Sequence, residues 1–338
     1  MANAYRGKVM TALGPIEPER MGAVMMHEHC YADLIATEEG ETPLQYVELL
    51  RAWCAPWLKR LHDYGCHAFV DATPMPMRAQ PSVYKELAGG AEFYLILSTG
   101  FYREAAAADR GMYPGTDVPH AWLDRRVSQL DESALANIMA GELEGGIQGS
   151  DLRPGIIKLA STLAEMTPGE QKAFRAGALA QQRTGLAITT HANGRGVAKV
   201  QLDIIEAAGA DPRRVILGHT ARDIVETPWV VRGLMDRGAT FLPTNLRMDG
   251  DPRFMQRLAN ETNRLFDDGY GDRLVLGLDW AFSNDNSNAI LIGCSFMPPP
   301  PYVYMFEYTL PRLREMGLRE DAIQCMLVDN PARLLPIV

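Results

Sequence analysis

Short apolar runs recur along this chain, and each stops abruptly on a polar side chain. The run opening at Ala23 stops at His27, with Glu28 and His29 behind it. Gly155-Ile156-Ile157 stops at Lys158, Ala187-Ile188-Thr189-Thr190 at His191, and Val215-Ile216-Leu217-Gly218 at His219. Leu274-Val275-Leu276-Gly277-Leu278 stops at Asp279, with Trp280 next. Runs of this length, rich in Leu and β-branched residues, read as strands buried on both faces. Between them lie stretches of helical length and period over 168–183, 196–208 and 223–237. Strand and helix in alternation imply parallel strands joined by right-handed crossovers. The pattern predicts eight strands, at 23–27, 68–71, 94–100, 155–159, 187–191, 215–219, 240–242 and 273–279. Eight such units in 338 residues predict an α/β fold, one (β/α)8 TIM barrel spanning 1–338. A short extension over about 1–20 is expected to pack on the barrel.

In a barrel of this kind the C-terminal strand ends carry the chemistry. Residues i and i+2 of a strand point to one side, so His27 and His29 present two imidazoles together. On a helix the same pair would diverge by about 200° and could not share an ion. Six groups therefore meet at one mouth: His27, His29, Lys158, His191, His219 and Asp279. Imidazole with carboxylate suits zinc and its neighbours cobalt, manganese and iron.

Composition narrows the class. Asp and Glu outnumber Lys and Arg by 42 to 33, a net charge of −9, which argues against nucleic acid or an anionic membrane as partner. No apolar stretch approaches the ~18 residues of a membrane helix, and residues 1–6 lack the apolar core of a signal peptide. The expectation is a cytoplasmic enzyme with a small-molecule substrate. The five cysteines contain no C-x-x-C and build no disulfide framework. Strand alternation turns Cys30 away from the histidine face, and Cys54, Cys66, Cys294 and Cys325 read as buried thiols. His62, His67 and His120 read as structural or surface residues, and Asp71 is expected to pair with Arg78.

Several segments are similar to a known family. Gly14-Pro15-Ile16 followed by Met25-Met26-His27-Glu28-His29 resembles the N-terminal signature of the phosphotriesterase-like members of the amidohydrolase superfamily. Thr99-Gly100-Phe101-Tyr102 resembles that family's third strand, Leu217-Gly218-His219 its sixth, and Asp329-Asn330-Pro331-Ala332-Arg333 its C-terminal helix. The resemblance runs from about residue 7 to the end. It implies a binuclear centre of two divalent ions, zinc first, with cobalt, manganese or iron as alternatives. His27, His29 and Asp279 would hold the more buried ion, and His191 and His219 the more exposed one. Lys158, carboxylated by carbon dioxide, would bridge them together with a hydroxide. The competing reading of Lys158 is a Schiff-base lysine, as in barrel aldolases. The family also implies a homodimer.

Substrate choice in this fold sits in the loops after the strands. Tyr102 resembles a tyrosine of the lactonase branch. Arg78, Arg103, Arg195, Arg222 and Arg247 fall in such loops and favour an anionic substrate group. Arg222 and Arg247, with Tyr102 and Trp280, are the substrate-binding candidates, and Phe282 joins Trp280 on the apolar side. Arg222 stands where organophosphate-hydrolysing members tend to have an aspartate. The expected activity is opening of a small, anionic lactone, ester or amide, with phosphotriester hydrolysis as the alternative. A metal-bearing binding protein with little turnover is the rival from another class.

Overall fold

The computed structural model describes residues 4–33, 39–103, 127, 129–161, 164–246, 251–284, 290–292 and 302–338. An antiparallel hairpin comes first, β1 (Val9–Thr11) with β2 (Gly14–Ile16). The parallel strands follow: β3 (Ala23–Asp33), β4 (Cys66–Asp71), β5 (Tyr94–Phe101), β6 (Ile156–Ala160), β7 (Ala187–His191), β8 (Val215–Gly218) and β9 (Thr240–Leu242). They neighbour one another in chain order, each parallel to the next.

The eighth strand closes the circle between β9 and β3. On one side Val275 N donates to Phe241 O at 3.0 Å; on the other Met26 N donates to Leu276 O at 2.8 Å. Past Asp279 the run continues as β10 (Ala281–Asn284), parallel to β3, and folds back through β11 (Ile290–Ile292). The chain is a TIM barrel.

Alternation divides the apolar residues into two layers. Val24, Met26, Val70, Ile96, Ile156, Ala187, Ile216, Leu242 and Val275 fill the barrel interior, and Val9 and Ile16 of the hairpin join them from below. Residues of opposite parity, such as Phe69, Leu95, Ile157, Ile188 and Leu217, pack outward with the helices. The hairpin is tied to the start of β5 by Ala12 N donating to Leu95 O at 2.8 Å.

Glycine is required where strands press together beside the mouth. A Cβ on Gly277 would lie 2.8 Å from His27 N and 3.0 Å from His27 Cβ. Gly277→Ala is therefore expected to lower stability by about 1–3 kcal/mol, as overpacking does. Chemical denaturation measures this, and an unchanged midpoint would show that the strands are free to part.

The outer helices include α1 (Leu44–Leu61), α2 (Pro81–Ala91), α3 (Glu132–Gly145), α4 (Pro168–Thr184), α5 (Val197–Ala207), α6 (Ala221–Glu226), α7 (Pro228–Asp236) and α8 (Pro252–Asp267). Two expected helices, 168–183 and 196–208, match α4 and α5 closely. The third, 223–237, is broken into α6 and α7 at Thr227, whose φ −134° and ψ 51° lie outside the helical region. Pro228 is the reason: its ring disfavours helix at the residue before it, and it lacks an N–H for the ladder. No helix among the described residues is long and apolar enough to cross a membrane.

Arg78 departs from expectation. It does not pair with Asp71. Its buried guanidinium bonds Glu142, Glu39 (Nε–Oε1 2.7 Å) and the Ser98 carbonyl (3.0 Å). Asp71 instead accepts the N–H groups of Cys30 at 2.8 Å and Thr73 at 3.1 Å. Charge alone suggested the pair, but backbone donors beside Asp71 satisfy it locally.

Candidate metal centre

The six strand-end groups reach the top of the barrel from five strands, His27 and His29 sharing β3. Asp279 is the hub. His29 Nε2 lies 3.2 Å and His27 Nε2 3.5 Å from Asp279 Oδ1, and His219 Nδ1 lies 3.6 Å from Oδ2. Lys158 Nζ is 3.2 Å from His27 Nε2. The His191 ring stacks at a tilt on His219, with centroids 4.1 Å apart. Donor atoms of His27, His219 and Asp279 all lie within 4.8 Å of one another.

The backbone bends to bring this about. His219 and Asp279 carry φ of 62° and 64°, and neighbouring Asn245 has 58°. Left-handed conformations are uncommon for residues with a Cβ and concentrate at functional sites. Gly100 beside β6 serves the same end. A Cβ there would overlap the Lys158 carbonyl.

Groups outside the six orient them. Thr73 Oγ1 lies 2.8 Å from His29 Nδ1, and Thr244 Oγ1 lies 2.9 Å from His219 Nδ1. Asn245 Nδ2 donates to Asp279 Oδ2 at 3.1 Å. Such partners fix ring orientation and tautomer at metal sites. Sequence reasoning missed Thr73, Thr244 and Asn245, because nothing in a lone Thr or Asn marks which imidazole it will face.

Burial disfavours the protonated form of three of the imidazoles and of the lysine. Burial holds His27 and His191 well below the ordinary histidine value, helped by the charges of neighbouring groups. Burial also takes His219 down to about 4 against the opposing pull of Asp279. Lys158, 1% exposed, is pushed by burial from 10.5 to about 7. Burial alone would raise Asp279, but the fields of His219, His29 and Lys158 and the His29 hydrogen bond hold it low and ionised. An ionised carboxylate among imidazoles whose burial disfavours protonation is what a borderline divalent cation requires. His219 Nε2 is buried without a hydrogen-bond partner, as a donor aimed at a cation would be. The residues fit such ions.

The substrate candidates fare unevenly. Tyr102 stands beside the cluster, its ring edge-on to His191 with centroids 5.9 Å apart. Arg222 is on the rim, its side chain 76% exposed and 3.7 Å from Glu226. Arg195 is 80% exposed and 3.4 Å from the same Glu226. Arg247 lies outside the described residues, as do His120 and Cys294. Trp280 does not line the mouth. It is fully buried, edge-on to Phe282 at 4.6 Å and Tyr302 at 5.2 Å, because the residue after Asp279 turns to the layer between sheet and helices. Phe282 is withdrawn with it. The group that sequence reasoning ranked too low is Arg103. Its guanidinium lies 5.5 Å over the Tyr102 ring, and its charge helps to depress both His191 and His219.

Other sites can be set aside. Cys66, beside His67, is buried and pushed up to about 12 by burial, so it is no nucleophile. His62 and His67 bond each other through Nδ1 at 2.7 Å at the start of β4, and His62 Nε2 lies 3.0 Å from the Ala91 carbonyl.

Barrel and donor set together define a metal-dependent hydrolase. The model of the Phosphotriesterase family matches residues 7–335, and the chain belongs to that family. It is 27% identical to the phosphotriesterase homology protein of Mycobacterium tuberculosis, over 96% of each chain. It is 25% identical to the N-acetyltaurine hydrolase of Tetraodon nigroviridis, over 97% of this chain and 98% of that one. Among solved structures, a mutant of a PTE-like lactonase from Deinococcus radiodurans superposes with a TM-score of 0.76 at 28% identity, covering 97% of this chain and 99% of its own.

Proposed function

We propose that this hydrolase carries two divalent ions, zinc first, bridged by a carboxylated Lys158, and opens a small anionic lactone, ester or amide. The observation that carries the reading is the convergence of His27, His29 and His219 on Asp279, with the buried amine of Lys158 3.2 Å from His27. A free ammonium cannot ligate a cation, whereas a carbamate supplies an anionic oxygen pair. His27, His29 and Asp279 would hold one ion, and His191 and His219 the other. When bound, such ions lower the pKa of water and polarise the bond under attack.

The chain's own groups supply the rest. Asp279, ionised and held by Asn245, accepts the proton of the attacking water and passes it to the leaving group. Tyr102 donates its hydroxyl to the carbonyl oxygen of the substrate. Arg103 attracts the substrate's anionic end. Arg222 occupies the place where triester-hydrolysing members tend to have a proton-relaying aspartate, and it points to solvent. That argues against fast phosphotriester turnover. The N-acetyltaurine hydrolase relative, whose substrate is an amide bearing a sulfonate, supports an anionic amide within the range.

The deciding experiment loads the protein with zinc or cobalt and compares γ-lactones, N-acyl amino acids, N-acyl aminosulfonates and aryl dialkyl triesters. A lactone or anionic amide should be turned over at least about tenfold better than any triester, the scale on which pocket contacts discriminate. Chelation should abolish the activity. Preference for the triester would overturn the substrate assignment, and activity indifferent to chelation would overturn the metal centre.

A further inference from the structure

One buried acid takes no part in the chemistry above. Glu28 sits between His27 and His29 in β3 and is fully buried. Its Oε1 accepts the Leu278 N–H at 2.7 Å, and its Oε2 accepts the Trp280 N–H at 2.9 Å. These are the amides on either side of Asp279, whose own N–H donates to His27 O at 2.8 Å.

The need for this arrangement follows from the backbone. Below and above, β3 and the eighth strand bond main chain to main chain, through Met26 N to Leu276 O at 2.8 Å and His29 N to Trp280 O at 2.9 Å. Asp279, with a φ of 64°, keeps its own N–H on His27 O, while the amides of Leu278 and Trp280 beside it go to the Glu28 carboxylate and not to the backbone of β3. A left-handed residue turns successive N–H groups to one side and makes a concavity suited to an anion. Buried as Leu278 and Trp280 are, those amides need a protein acceptor. The Glu28 carboxylate fills the concavity from the strand that also carries two imidazoles.

We infer that Glu28 is a positioning residue: held across the two amides that flank Asp279, it fixes the left-handed turn that aims the Asp279 carboxylate at His27, His29 and His219. One side chain thus ties three of the six donors into a single rigid unit. The catalytic consequence rests on the role proposed above for Asp279, whereas the restraint on the backbone does not.

Glu28→Gln tests both parts. It preserves shape but replaces one accepting oxygen with an NH2 group that faces an N–H donor. In metal-free protein, amide hydrogen exchange should accelerate at 278–280 and stay native elsewhere. Competition between cobalt and a chelator should show affinity weaker by about tenfold to hundredfold. Turnover should fall on a similar scale with KM little changed, and the acidic limb of the pH profile should move. Glu28→Asp keeps the charge but is one methylene shorter, so it should fall between native and Glu28→Gln. It carries the same readouts if Glu28→Gln does not fold. Native exchange at 278–280 in the variants would overturn the restraint. Faster exchange with unchanged cobalt affinity and pH profile would reduce Glu28 to fold support and overturn its positioning role. A native protein that binds no cobalt would instead overturn the proposed function, and hydrogen exchange alone would then decide for or against the restraint.

Discussion

Lys158→Ala is expected to leave a folded barrel that neither retains metal nor turns over substrate. The loss in kcat/KM should reach about a thousandfold, the upper range for removing one preorganised electrostatic element. The residue is 1% exposed, and its amine lies 3.2 Å from His27 Nε2. Lys158→Glu should restore part of both, since a carboxylate at that place supplies oxygens without needing carbon dioxide. Elemental analysis of purified protein together with steady-state kinetics reads the result. Undiminished metal and turnover in Lys158→Ala would remove the bridged centre from consideration. Borohydride trapping of substrate on Lys158 in the native protein would replace it with imine chemistry.

The same residue sets a pH dependence. The folded value, about 7, lies below the ordinary 10.5, so between these limits the unfolded chain binds a proton that the folded chain does not. Stability of the metal-free protein from this group therefore rises with pH from about 7 upward. Above the ordinary thiol value of 9 the buried Cys66, pushed up to about 12, acts in the opposite sense. Only the uncharged amine attacks carbon dioxide, so metal uptake supported by bicarbonate should be fast above about pH 7 and slow below it. Uptake that is indifferent to both bicarbonate and pH would contradict the carbamate.

Asp279→Asn is the second large effect. The amide keeps the size and much of the hydrogen bonding but cannot accept the proton of the attacking water. Turnover should fall about 10²–10⁴-fold, the usual contribution of a positioned acid–base group. KM should change little, because the substrate's anionic end is held elsewhere. The acidic limb of the pH–rate profile should vanish in the variant, since Asp279 is the ionised group at the hub. A pH–rate profile that keeps its acidic limb after the substitution would assign the proton transfer to another residue.

Much of this architecture was legible because burial on both faces writes itself into the chain as short apolar runs. Seven strands emerge within a few residues of the expected places. β3 is the exception in length, running on to Asp33, and its pairing with β4 shifts register between Met25 and Glu28. The six donors were legible for the same reason: five of them close such a run, and His29 stands two residues beyond His27 on the same strand. What remained hidden depends on contacts between distant segments. Glu28 reads from its neighbours as a spacer between two histidines, and only the left-handed turn 251 residues later at Asp279 gives it a task. Trp280 was misjudged because adjacency to Asp279 in sequence does not mean adjacency in space on an extended chain. Arg222 and Arg103 were indistinguishable by loop position, since exposure depends on how each loop folds over the mouth.

The two ends of the described chain meet beneath the barrel. Gly7 N donates to Ile337 O at 2.8 Å, and Ile337 N donates to Lys8 O at 3.0 Å. Arg214 locks the same tail by donating to Pro336 O at 2.7 Å, and Leu334 and Leu335 enter the interior layer beside the hairpin. Because both ends lie opposite the catalytic mouth, a surface tether or a fused partner at either end would leave substrate access open. A short bridge between them with new ends cut elsewhere, as in a circular permutant, would likewise spare every donor of the site.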